Sequence, residues 1–400
     1  MSTSVKLNTK EFSSMLSRVS KCSIRGSLDI LAECVEIKLD NGVLSVRTTD
    51  TRNSLIVRKS GVEGSNFDAV ILLDLFGKVV SKTQSEQIEL VIDDTCVELN
   101  GNGTYKFERQ VEGDQPVRFE PISLIDNPEF SVDFSLTDVK DVVKYNGEFV
   151  GSPFVDSTVA GYFFGDNAIT TDGYNAGFYR KRVFSSPNTL MLYETTFLLL
   201  SDFVDDKIKM LKRGDKIQFV SSDALLTTMV HQYSKDFPVS ELSEFLQDAY
   251  PNMVVISASA TKATLERVLL FIDNKSDEGI ALMSFDSNGI AINDNRGRVN
   301  EFIPYKSAQS AGSFSCRVSV PDLIKMMDVG GDDEIRFSYG NERSVRFDSG
   351  ELTRILALHN EPDNLDVGDG SVDFTGEEEI GDLDVITAED HPVSMSDIQW

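Results

Sequence analysis

One pattern recurs three times along this chain. A turn leading into an extended apolar run occurs as Asn41-Gly42-Val43-Leu44-Ser45-Val46-Arg47-Thr48-Thr49-Asp50, as Gly165-Asp166-Asn167-Ala168-Ile169-Thr170-Thr171-Asp172-Gly173, and as Asn288-Gly289-Ile290-Ala291-Ile292-Asn293-Asp294. The copies are about 120 residues apart, far beyond the roughly 20–50 residues of a solenoid repeat. A second marker keeps the same order: Glu86-Gln87-Ile88-Glu89-Leu90-Val91-Ile92, Asp215-Lys216-Ile217-Gln218-Phe219-Val220, and Asp333-Glu334-Ile335-Arg336-Phe337-Ser338. Whatever one unit folds into, the chain holds three of them, so the arrangement of units is itself a candidate for the function.

A length of 400 residues fits this count, at roughly 100–200 residues per domain. Turn residues cluster near 125–128 and 249–252, giving domains 1–125, 126–250 and 251–360, and then a tail, 361–400. The formal charge is −27, and the tail holds about 13 acidic residues with no Lys or Arg. Such a tail is expected to be disordered. The body remains acidic, so general electrostatics would not hold it tightly on DNA, where affinity comes from Lys and Arg neutralising phosphates. Cys22, Cys34, Cys96 and Cys316 lack metal or disulfide spacing. No signal-peptide core follows Met1, and no apolar run reaches the roughly 18 residues of a membrane span. A cytoplasmic protein is expected.

Each unit reads as helix, strands, second helix, strands. In the first, Asn8 and Glu11 form a capping box ahead of Phe12, Met15, Leu16 and Val19. The second helix is expected to carry Leu72, Leu75, Phe76, Val79 and Val80 as its stripe. In the middle unit Ser135 caps a helix with Leu136, Val139 and Val143, and a later helix contains Phe197, Leu200 and Val204. The run Lys207-Ile208-Lys209-Met210-Leu211-Lys212-Arg213 continues that helix or forms a separate turn. In the third, Thr261 precedes Leu265, Val268, Leu269 and Ile272, and Ser319 with Pro321 and Asp322 opens the last helix over Leu323 and Met327. All six helices have a basic residue at or near the polar face. That is ordinary for one surface helix, but a shared basic surface is a coherent reading of six in an acidic protein.

Catalytic motifs are missing. There is no phosphate-binding loop, dinucleotide fingerprint or GxSxG, and His231, His359 and His391 have no metal-ligand spacing. Thr171-Asp172-Gly173 could be read as a catalytic Asp beside a flexible Gly. Thr48-Thr49-Asp50-Thr51 stands at the equivalent place in the first unit, which favours a turn with Asp accepting backbone hydrogen bonds. No cofactor or metal is expected.

The three-unit order, together with Thr170-Thr171-Asp172-Gly173-Tyr174-Asn175-Ala176, resembles the bacterial DNA polymerase III beta subunit, the replication sliding clamp, whose segment reads Ala-Thr-Asp-Gly-His-Arg-Leu. Asp236-Phe237-Pro238 is similar to the family's Arg-Phe-Pro-Asp, and the resemblance spans residues 1 to about 360. It implies an α+β fold of three similar clamp domains, two helices packed on antiparallel sheets in each, closed as a head-to-tail homodimer ring around duplex DNA. It further implies a non-enzymatic processivity factor that serves a replicative polymerase and is placed by an ATP-dependent loader. Helix-borne Lys10, Arg18, Lys21, Lys78, Lys82, Lys140, Lys144, Lys262, Arg267 and Lys325 would face the DNA, loosely and without base readout. A partner-peptide pocket between the second and third domains would be lined by Val159, Thr171, Gly173, Tyr174, Pro238 and Leu242 and closed by Leu356, Ala357 and Leu358.

The sequence departs from the family in places. Tyr174-Asn175-Ala176 replaces His-Arg-Leu, and Ala357-Leu358-His359 stands where the family ends on a Met-Pro-Met-like strand. Such divergence fits a virus-encoded clamp. The tail ends in Ser396-Asp397-Ile398-Gln399-Trp400, the only tryptophan, as a solubilising segment or an apolar tip for docking. Two rival functions remain open: a clamp-fold module that sequesters replication proteins without encircling DNA, and an acidic hydrolase using Asp172 or nearby carboxylates.

Overall fold

The computed structural model describes residues 2–113, 115–184, 189–272, 279–294, 296–329 and 333–359. The acidic tail with Trp400, and His391, lie outside them.

One element order is built three times: a strand, a helix, four strands, a helix and three strands. The first run comprises β1 (Thr3–Asn8), α1 (Thr9–Ser20), β2 (Cys34–Asp40), β3 (Val43–Thr49), β4 (Ser54–Ser60) and β5 (Phe67–Leu72). It continues through α2 (Leu73–Lys82), β6 (Gln87–Ile92), β7 (Cys96–Asn100) and β8 (Thr104–Glu108), with a small hairpin of β9 (Val111–Glu112) and β10 (Gln115–Pro116) after it. The second comprises β11 (Phe130–Ser135), α3 (Leu136–Asn146), β12 (Gly161–Phe164), β13 (Ala168–Thr171), β14 (Asn175–Tyr179) and β15 (Leu190–Tyr193). Then come α4 (Glu194–Ser201), β16 (Lys207–Arg213), β17 (Lys216–Val220) and β18 (Ala224–Met229), followed by an added helix, α5 (Val239–Gln247). The third comprises β19 (Asn252–Ser257), α6 (Ala258–Leu269), β20 (Ile280–Phe285), β21 (Gly289–Asp294) and β22 (Asn300–Pro304). An extra β23 (Ser307–Ser310) precedes β24 (Phe314–Ser319), α7 (Val320–Met326), β25 (Glu334–Tyr339), β26 (Ser344–Ser349) and β27 (Leu352–Ala357). This is an α+β architecture.

Capping chemistry sets where the first helix of each run begins. Asn8 Oδ1 accepts from the Glu11 amide at 3.1 Å, Ser135 Oγ from Thr137 at 3.2 Å and Ser257 Oγ from Ala260 at 3.2 Å. Only the Asn8 half of the expected capping box is made, because the Glu11 carboxylate pairs with Lys59 at 3.1 Å. Helix α6 opens at Ala258, three residues before the expected Thr261, which is a buried interior position. In α1 the stripe Phe12, Met15, Leu16 and Val19 is buried as its spacing requires. In α2 only Leu73, Phe76 and Val80 are buried, while Leu72 and Leu75 are 43% and 62% exposed. Helix α4 stops at Ser201, leaving Val204 outside, and Lys207–Arg213 is strand β16, not a helical continuation. Its alternating burial, with Ile208 and Met210 inside and Lys207 and Lys209 outside, has the period of a strand. Helix α4 therefore contains no basic residue, and the expected six-for-six pattern of basic helices fails there.

Sheet pairing repeats as well. The opening strand of each run pairs antiparallel with the strand after the second helix: β1 with β6, β11 with β16, β19 with β25. The sheets then run across from one repeat to the next. Strand β18 pairs with β4 and β27 with β14, giving an eight-stranded sheet β11-β16-β17-β18-β4-β3-β2-β5 and a nine-stranded sheet β15-β12-β13-β14-β27-β26-β25-β19-β23. Two four-stranded sheets remain, β1-β6-β7-β8 and β22-β21-β20-β24, with β8 and β22 at their edges.

Polar side chains tie the β18–β4 joint. Arg18 pairs with Asp223 at 2.5 Å and Lys21 with Asp202 at 2.7 Å, while Thr196 donates to Asn53 at 2.6 Å. Arg52 lies 4.6 Å over the Tyr193 ring, which packs 4.0 Å from His231. His231 is 3% exposed and its Nδ1 accepts from the Tyr233 amide, so the buried ring is held neutral; burial and then Arg52 push its pKa from 6.5 to about 4. The sign follows. Above pH 6.5 neither state binds the proton; between 6.5 and about 4 the unfolded chain binds it and the folded chain does not, so stability is lost. Urea titrations should show wild type losing about 3 kcal/mol more than His231→Gln over this range. Parallel pH profiles of the two proteins would contradict this assignment.

Candidate nucleic-acid interface and partner pocket

The basic residues singled out from the sequence lie on the helices or directly after them, but they differ in how free they are. Lys10, Lys82, Lys140 and Lys262 form no ion pair with another described residue, and the first three are fully exposed. Lys144 lies 4.6 Å over the Tyr145 ring and donates to its hydroxyl at 3.0 Å. Lys78 pairs with Asp74 at 2.6 Å, Arg267 forks onto Glu301 at 2.8 Å and Lys325 pairs with Asp322 at 2.7 Å. The Lys78 and Arg267 pairs are open to water and strongly screened, whereas that of Lys325 is half-buried. Arg18 is different: it is largely covered by its pairing across the β18–β4 joint.

Around the expected pocket, the turn after β13 explains Asp172. Its Oδ1 accepts from the Tyr174 and Asn175 amides at 2.9 and 2.7 Å, and its Oδ2 accepts from Asn175 Nδ2 at 3.1 Å. Thr171 Oγ1 donates to the Asn175 carbonyl at 2.6 Å, and Gly173 takes φ of 93°. Asp50 makes the same three bonds with Arg52 and Asn53. A carboxylate so occupied is a turn-former, which accounts for Asp172 without a catalytic role. The Asp172 charge also acts on Lys325 of α7, so that cation lies near this turn.

Val159 (3% exposed) and Leu242 (8%) meet in an apolar cluster that also contains Phe163, Ala176, Phe237 and Ile355. Thr171 and Leu356 are buried, Pro238, Ala357 and Leu358 half-buried, and Tyr174 is 76% exposed. Leu356 faces the main core instead of this cluster.

Three features escaped the sequence reading. Arg354, 2% exposed in the middle of β27, donates to the carbonyls of Lys325, Met326 and Tyr145 at 2.8, 3.1 and 2.9 Å. Burial pushes its pKa down to about 10. Tyr105 on β8 and Phe302 on β22 are 41% and 50% exposed, and Leu75 on α2 and Leu270 and Phe271 just past the end of α6 are also open. Position in the repeat carries no signal for the last of these. The thirteenth residue after each first-helix start is Cys22, Phe149 or Phe271; the first two are 0% and 1% exposed, the third 46%. Among the described residues no helix is long and apolar enough to cross a membrane, and no group of three or more His, Cys, Asp or Glu is placed to hold a metal ion.

No protein-family model matches the sequence, and no curated protein does. Solved structures do match the fold. The DNA polymerase III beta subunit of Thermotoga maritima superposes with a TM-score of 0.79 at 12% identity, covering 90% of this chain and 100% of that one. The beta subunit of Borrelia burgdorferi gives 0.78 at 13% identity over 90% and 99%, and the DNA polymerase sliding clamp of Bacillus subtilis 0.76 at 12% over 90% and 100%. The chain thus has a sliding-clamp fold. More particularly, it is the three-repeat fold of the bacterial DNA polymerase III beta subunit.

Proposed function

We propose that this chain is a DNA sliding clamp: two copies joined head to tail encircle duplex DNA and tether a replicative polymerase, without enzymatic activity of their own. The reading is carried by the two open sheet edges. Inside the chain, the last strand of one repeat pairs with the fourth strand of the repeat before it, as β18 with β4 and β27 with β14. The same rule applied to what is left pairs β8 of one copy with β22 of another. The joined sheet would read β1-β6-β7-β8-β22-β21-β20-β24, the strand order of the eight-stranded sheet already present. Tyr105 and Phe302 on those edges supply the apolar surface that an unpaired edge in a monomer normally avoids.

In this reading the units are residues 1–125, 126–250 and 251–360. The basic residues named above other than the covered Arg18 face the DNA, and topology, not affinity, prevents escape, which suits an acidic body. Partners, including the polymerase and an ATP-driven loader, dock at the pocket beside Val159, Thr171 and Tyr174. Sedimentation equilibrium should give twice the chain mass of 44.4 kDa, and negative-stain images should show closed rings of six lobes. Compact monomers at micromolar concentration would overturn it in favour of a module that sequesters replication proteins.

A further inference from the structure

The four-stranded part of the middle repeat is covered on both faces. Every residue of β12, β13 and β14 is buried, whereas β2 alternates buried positions with exposed Lys38 and Asp40. One face meets α3 and α4 through Tyr162 and Phe164. The other presents Phe163, Ile169, Ala176, Phe178, Met191 and Ile355 as a separate cluster. Its cover is Phe237, stacked 4.9 Å on Phe163, and α5, which has no counterpart after β8 in the first repeat.

Helix α5 is weakly built. Its nine residues fall below the roughly 12–15 at which a lone helix becomes marginal in water. Its start has no side-chain cap, and only Leu242 of its stripe Val239, Leu242, Phe245 and Leu246 is fully buried. Besides this apolar stripe, what holds it is polar and lies on the third repeat. Arg343 donates to both oxygens of Asp248 at 2.9 and 2.8 Å, Asn341 donates to Asp248 at 3.2 Å, and Arg346 donates to the Leu246 carbonyl at 3.1 Å. Arg343 also lies 5.1 Å over the Phe245 ring.

We infer that α5 is a displaceable occupant of this groove, latched by Asp248 on Arg343, and that a partner segment binds by taking its place. The inference rests on the partner-pocket reading above and adds its regulation. The chemistry of the incoming segment is read from what it replaces: a short amphipathic stretch with apolar residues at the spacing of Val239, Leu242, Phe245 and Leu246, then a carboxylate for Arg343. Elements held by few buried contacts open at low free energy, so exchange of one segment for another is accessible here.

The probe is a fluorescein-labelled peptide of this chain's own residues 236–249, titrated into the full chain, Asp248→Ala and Arg343→Gln by anisotropy. Hydrogen exchange of residues 239–247 is followed in parallel. Asp248→Ala should bind the peptide about tenfold tighter than wild type, and peptide should speed exchange of α5 in the wild-type chain. Arg343→Gln should also free α5, yet gain no affinity, because the peptide carboxylate loses its partner. Equal binding to all three proteins with α5 exchange unchanged overturns the displacement and leaves the pocket standing. No binding to any of them, with α5 exchanging faster in both variants, overturns the pocket as well.

Discussion

Arg354→Ala is expected to cost about 3–5 kcal/mol of unfolding free energy, the largest loss from any single side chain outside the apolar core. The guanidinium satisfies three carbonyls in two repeats, those of Lys325 and Met326 in α7 and of Tyr145 in α3, and packs 5.3 Å from the Phe149 ring. Room for it comes from Gly177, its partner on β14, where an added Cβ would stand 2.8 Å from the Phe149 ring. Alanine removes the guanidinium donor from all three carbonyls in a space that water enters poorly, although that of Lys325 keeps the Asp328 amide at 3.3 Å. Lysine restores the charge without the planar fork and should recover less than half of the loss. Urea unfolding followed by tyrosine fluorescence measures both. A loss under 1 kcal/mol for alanine would mean that the carbonyls find other donors.

Phe302→Asp is expected to convert the proposed dimer to monomer, raising the dissociation constant at least a hundredfold. In one chain Phe302 is half exposed on β22, its ring lying over Gly289 on the neighbouring strand, so the substitution should leave the thermal midpoint of the monomer nearly unchanged. In a β8–β22 joint the new carboxylate would be taken out of water beside Tyr105, which costs several kcal/mol. Sedimentation equilibrium of the two proteins decides the matter. A dimer of wild-type affinity would place the joint elsewhere and remove the main support for a ring.

How far the sequence could be read depended on whether a signal was local. Helix starts at Asn8, Ser135 and Ser319 were legible because a cap is a contact between residues two or three apart. The turn at Asp172 was legible for the same reason, through its copy at Asp50. Lys207–Arg213 misled because alternating Lys and apolar residues over seven positions carry only a weak period, and pairing with β11 and β17 decides the strand. Helix α5 went unnoticed because its stripe is short and stays put through Arg343 and Arg346, about 100 residues away.

The sequence by itself determined that there are three units, where three of their helices begin, and which apolar stripes fill much of their cores, since these follow from periodicity and capping within each repeat. Only the tertiary structure decided that the repeats join edge to edge as β18–β4 and β27–β14, that Arg354 is buried at the second joint, and that β8 and β22 stay open. Backbone hydrogen bonding between strands more than 150 residues apart leaves no trace in local composition. Whether Phe149 is core and Phe271 surface depends on the neighbour that covers each position.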